Sequence, residues 1–145
     1  MKKVYIAIIF FIINISIKAL NFTVSPTKFE ADLKKDNIFE VYLLNNTSKP
    51  LRLEIYSEIP KGYEDKNLDE NIVIYPKKIS IKPGAKKEIH FKVKKKDNIK
   101  NEEHKSLLVF RESLPVIKEK DINGAEIFNL KLDFITEIAV GIYGK

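Results

Sequence analysis

The chain has 145 residues, 44% hydrophobic and 32% charged, with a formal net charge of +6 and no cysteine. The missing cysteines exclude disulfides, zinc ribbons and thiol chemistry, so stability must come from hydrophobic burial. Lysines occur as small dispersed clusters such as Lys34-Lys35, Lys77-Lys78 and Lys94-Lys95-Lys96, without an arginine-rich or aromatic-interleaved patch, which reads as a solvated surface and excludes nucleic acid as the expected partner.

Met1-Lys2-Lys3 is followed by an apolar run from Val4 to Ile17 and by Ala19. A basic start, an apolar stretch shorter than the roughly 20 residues needed to span a bilayer, and a small residue are the parts of a secretory signal peptide. Residues 1–19 are therefore expected to be removed, although Ile17 stands where a small residue is usual. An uncleaved anchor is the alternative, and both place the remainder outside the cytoplasm. Losing Lys2, Lys3 and Lys18 takes the net charge from +6 to +3. Residues 20–145 suffice for one domain with a real core.

Within that domain, Phe22, Val24 and Phe29 read as an edge strand interrupted at Pro26. Phe39, Val41 and Leu43 alternate with Glu40 and Tyr42, and the turn formers from Asn45 to Pro50 follow. Leu51, Leu53 and Ile55 alternate with Arg52, Glu54 and Tyr56 as a third strand. Residues 60–71 are polar and predict a loop. Two short apolar pieces flank Tyr75-Pro76, and Lys82-Pro83-Gly84-Ala85 has the proline and glycine of a type II turn. Ile89, Phe91 and Val93 alternate with Glu88, His90 and Lys92, and after a charged connection Leu107 to Phe110 have the composition of a central strand covered on both faces. The last apolar alternation is long: Leu130, Leu132, Phe134, Thr136, Ile138, Val140 and Ile142 share one parity, against Lys131, Asp133 and Glu137 on the other. Such a run exceeds the usual five or six residues of a strand and suggests a second use for the surplus. About seven strands, turn signals every 8–12 residues and no helical period predict an all-β, immunoglobulin-like seven-stranded β-sandwich.

Several of these stretches together resemble the amino-terminal domain of periplasmic pilus (fimbrial) assembly chaperones. They are Tyr75-Pro76 with Ile81-Lys82-Pro83-Gly84, then Glu103-His104-Lys105-Ser106-Leu107-Leu108, then Phe110-Arg111-Glu112-Ser113-Leu114-Pro115. The resemblance implies a periplasmic module that completes an unfinished pilin-type subunit by strand addition, a binding mode in which main-chain hydrogen bonds give affinity and side-chain pockets give specificity. It places Leu130, Leu132 and Phe134 as the donated apolar residues, and Lys28, in Thr27-Lys28, as a candidate anchor for the subunit's terminal carboxylate. The partner second cation is absent, since Ala139 occupies its position. Lys105 and Tyr143 or Gly144 replace charges that join two domains in the family, so a one-domain protein is expected. The alternation alone fits equally well with Leu130, Leu132 and Phe134 filling the domain's own core, which would make the chain a structural or adhesive surface module that self-associates through an edge strand.

No enzymatic site is expected. His90 and His104 read as surface histidines without further metal ligands at a telling spacing, Ser106 and Ser113 lack a glycine-flanked elbow, and Glu102-Glu103 and Asp69-Glu70 are loop acids. No cofactor, metal or small-molecule substrate is implied. Asn21-Phe22-Thr23 and Asn45-Asn46-Thr47 match glycosylation sequons, a pattern that arises easily in an asparagine-rich chain.

Overall fold

The computed structural model describes residues 20–99, 102–113 and 135–145. The leader and the predicted donor residues Leu130, Leu132 and Phe134 lie outside them. The described chain folds as two sheets packed face to face. One sheet has the order β1 (Phe22–Ser25), β3 (Asn37–Asn45), β7 (Lys86–Val93), β5 (Ile72–Ile74). The other has the order β2 (Lys28–Ala31), β9 (Glu137–Gly144), β8 (His104–Glu112), β4 (Leu51–Glu58), β6 (Lys78–Ile81).

Among the described residues nine strand segments stand where about seven are expected, and two prolines account for the difference. The predicted single first strand is two strands in different sheets, because the chain crosses the sandwich at Pro26, where there is no N–H to continue a ladder. Pro76 divides β5 from β6 in the same way. The predicted loop at residues 60–71 ends in a 3-10 turn, Asp69–Asn71. The type II turn is present: Gly84 has φ +68° and the Ala85 N–H donates to Lys82 O at 3.0 Å.

Alternation in the strands becomes burial. Val41 and Leu43, Leu51, Leu53 and Ile55, and Val140 and Ile142 face inward and are buried, while their odd or even neighbours face solvent. Phe29 links the sheets, meeting Phe91 edge to face at 4.9 Å and Phe39 at 5.4 Å between ring centroids. Burying a ring of this size contributes roughly 1.5–3 kcal/mol. On β8, Leu108, Val109 and Phe110 are all buried although successive side chains point to opposite faces, the double cover its composition predicts.

Three polar side chains are buried among the described residues. Asn45 is fully buried, and its amide donates to Lys49 O and Ile81 O at 2.8 and 3.0 Å while its Oδ1 accepts from the Thr47 N–H at 2.9 Å. A sequon asparagine thus spends its polar atoms closing the turn after β3. Ser106 is also fully buried and accepts from the Leu68 N–H at 2.8 Å. His104 is a correction to its expected surface position: it opens β8 and is buried, with Nδ1 3.0 Å from Glu102 O.

Candidate functional site

Among the described residues, the last strand is paired along only half of one of its edges. β8 pairs with β9 along its whole length, from Arg111 opposite Glu137 to His104 opposite Gly144. On the other side β2 runs parallel to β9 and pairs only from Lys28 opposite Gly141 to Ala31 opposite Gly144. Among the described residues no strand lies beside Glu137 to Val140 on that side. β2 does not reach back to cover them because Thr27 and Pro26 precede Lys28 and carry the chain across to β1 in the other sheet.

Hydrogen-bond alternation decides which main-chain groups are free. The Glu112 N–H donates to Thr136 O at 3.0 Å, which makes these two residues a bonded pair. In an antiparallel ladder the bonded pairs recur every second residue, so Ile138 and Val140 direct their N–H and C=O toward β8 and Glu137 and Ala139 direct theirs to the open side. Glu112 fastens this end of the strand further, since its Oε2 accepts from the Thr136 N–H at 3.3 Å and from Asn21 Nδ2 at 2.9 Å. Glu112 entered the sequence reading only as part of a motif, and its anchoring role depends on a register that spacing does not reveal.

Where β2 begins, a cationic group borders the open edge. Lys28 Nζ lies 4.9 Å from the centroid of the Tyr143 ring and 3.1 Å from Glu30 Oε1. The hydrogen bond that Lys28 donates to Glu30, and then the charge of Glu30, raise the Lys28 ammonium above the usual lysine range. With both partners exposed, this pair contributes little to stability. Lys105, directly opposite Tyr143 on β8, brings a second ammonium to the same ring at 5.1 Å. The ring lies over Gly141, where a Cβ would meet Tyr143 Cε2 at 2.7 Å, so glycine is what leaves room for the ring within reach of both lysines. Ala139 is exposed and uncharged, as the sequence requires, and Lys105 was not read as a cation for this group. Lys105 and Tyr143 are cross-strand neighbours in cation–π contact.

Of the other candidates, Ile138 is half-buried against the core, continuing the inward parity of the last strand. His90 is exposed as expected, but it has acidic company: Glu88 two residues earlier and Glu40 directly across on β3.

No protein-family model and no curated protein matches the chain. Solved structures do match. The Escherichia coli chaperone DraB superposes with a TM-score of 0.60 at 10% identity, covering 86% of this chain and 54% of its own. The Salmonella enterica SafA pilin in complex with the SafB chaperone matches with a TM-score of 0.59 at 11% identity, covering 90% of this chain and 56% of the other. The chain therefore spans about half the length of these chaperone structures, and its fold is that of their immunoglobulin-like domain. The same fold extends to a human protein: the PapD-like domain 7 of CEP192 matches with a TM-score of 0.52 at 8% identity, over 91% of this chain and 96% of the other.

Proposed function

We propose that the chain is a chaperone-type module, exported behind a cleaved leader of residues 1–19 into the periplasm, whose domain of residues 20–145 binds a β-rich, pilin-type subunit by strand addition along β9. The observation that carries this reading is the edge of Glu137 to Val140, which no strand among the described residues covers, with main-chain groups of Glu137 and Ala139 directed outward and β2 confined to the other half. An edge strand left unpaired is a template for another chain, and a subunit lacking a strand presents the complementary need. Leu130, Leu132 and Phe134 extend the inward parity of β9 upstream and supply the apolar residues that enter the subunit.

Direction adds to the argument. A strand added parallel to β9 runs toward β2 and brings its carboxyl end to Lys28, with Lys105 on the far side of the shared tyrosine. Cations at that place suit a terminal carboxylate, although a lysine offers a point charge where arginine offers a fork.

A second reading, a structural module whose edge pairs with another copy, is favoured by the match to the CEP192 domain, which shows that this fold occurs outside pilus chaperones. One experiment separates the two. The full chain is expressed with its leader, the processed protein is purified, and bound proteins are identified for the wild type, Leu132→Glu and Ile138→Glu. The expected result is a mature start at Leu20, a bound β-rich subunit, loss of that subunit with Leu132→Glu at unchanged stability, and a large loss of stability with Ile138→Glu, which puts an unpaired carboxylate against the core. Equal destabilisation by both variants, or a homodimer in place of a heterocomplex, overturns the chaperone reading.

A further inference from the structure

On the outer face of the other sheet, remote from β9, three ligand-type side chains converge. Glu40 on β3 is directly opposite His90 on β7, and Glu88 precedes His90 by two residues and so shares its face. One donor atom from each, two carboxylate oxygens and an imidazole nitrogen, all lie within 4.8 Å of one another. We propose that Glu40, Glu88 and His90 form a binding site for a divalent transition-metal ion of the zinc type, independent of the strand-addition edge.

The donor spacings are compatible with a bound ion. His90 Nε2 is 3.6 Å from Glu40 Oε1 and 3.2 Å from Glu88 Oε1, against an edge of about 3.4 Å for a tetrahedron of donors at zinc bond lengths. Both contacts are also ion-pair distances, and a metal ion would replace that pairing by drawing the three donors to itself. Glu40 is oriented by a neighbour: its other oxygen, Oε2, accepts from the Tyr42 hydroxyl at 3.0 Å, leaving Oε1 turned toward His90. Lys86 stacks on the Tyr42 ring at 4.6 Å and fixes that ring in turn. The two strands that carry the ligands pair over eight residues, Asn37 opposite Val93 to Leu44 opposite Lys86, so the backbone positions are held without the metal. Mixed nitrogen and carboxylate donors suit zinc better than magnesium or calcium, which prefer oxygen alone, and all three residues are exposed, so water completes the coordination.

The test is a calorimetric titration of the purified full chain with zinc chloride, and with magnesium chloride as the hard-ion comparison. One equivalent of zinc is expected, with magnesium binding at least tenfold more weakly. His90→Gln and Glu88→Gln should each weaken zinc by tenfold or more, and Tyr42→Phe, which frees Glu40, by about tenfold at most, the lower end of what loss of an orienting partner costs. His104→Gln removes the other of the two histidines and should leave the site unchanged. Circular dichroism checks that each variant is folded, as substitutions on the exposed face of the site permit and as the buried position of His104 requires. Absence of zinc binding, or binding that survives His90→Gln and is lost with His104→Gln, overturns the assignment.

Discussion

Two adjacent residues of β9 offer a sharp contrast, because the alternation of the ladder gives their N–H groups opposite directions. Ala139 directs its N–H to the open side, so Ala139→Pro removes no bond to β8 and places the ring where solvent now is. Prolines are tolerated on edge strands in this orientation, and the expected loss of stability is within about 1 kcal/mol. Val140 directs its N–H at the main chain of Leu108, its opposite residue, which is fully buried. Val140→Pro therefore leaves a buried carbonyl without its donor, at about 1–3 kcal/mol, and forces the ring into the ladder as well, for a total of about 3 kcal/mol or more. Against a domain stability of roughly 5–15 kcal/mol, the second variant is badly weakened and the first is close to wild type. Urea denaturation of both measures this directly. Capture of the subunit should follow the reverse logic: Ala139→Pro deletes a donor that the added strand needs and fills its path, so affinity should fall by at least about tenfold, one to two main-chain bonds' worth. If Ala139→Pro destabilises the free protein as much as Val140→Pro, the edge is already paired and the argument for strand addition fails.

Two further outcomes are expected. A Cβ at Gly144 would meet Leu33 Cδ2 at 2.8 Å and Cγ at 2.9 Å, and Leu33 is fully buried, so Gly144→Ala should cost about 1–3 kcal/mol, read as a lower urea midpoint. Asp36 has its acidity strengthened first by the Lys95 N–H, which donates to Oδ1 at 2.8 Å, and then by Lys92, whose Nζ is 3.1 Å away. A carboxylate held below its unfolded range stabilises the fold above about pH 4 and ceases to do so as pH falls through its folded value, so wild type should exceed Asp36→Asn in thermal midpoint at pH 7 and the two should converge on acidification. A gap that stays constant down to pH 2 would contradict this.

Much of the architecture was legible because most strands have one wet face, and a period of two then declares itself, as in Leu51 to Tyr56. The strand crossings were not, since Pro26 interrupts a ladder on sequence grounds but nothing local says that the two halves join different sheets. Buried polar residues mislead in the same way: Asn45 reads as a turn former or a sequon, and only the approach of Ile81 and Lys49 explains it. The edge of β9 was half visible, as surplus length in an alternating run. Its open half, the fastening by Glu112, and the gathering of Lys28 and Lys105 on one tyrosine all depend on register between strands far apart in sequence. The same is true of Glu40 and His90, fifty residues apart and directly opposed.

The shortness of β2 gives the edge of β9 an end stop. Four residues of bare strand, about 13 Å at the usual rise, run into Lys28, beyond which the lane is occupied. A chain sliding along that lane in the direction of β9 can advance only until its own end abuts β2, and an internal segment with more chain to follow has to leave the sheet there. On the proposed strand-addition reading, the lane would therefore admit tails in preference to loops and would set their position by where they finish. A binder of this kind can accept many sequences and still hold each in a single phase, because the ruler is the length of its own neighbouring strand.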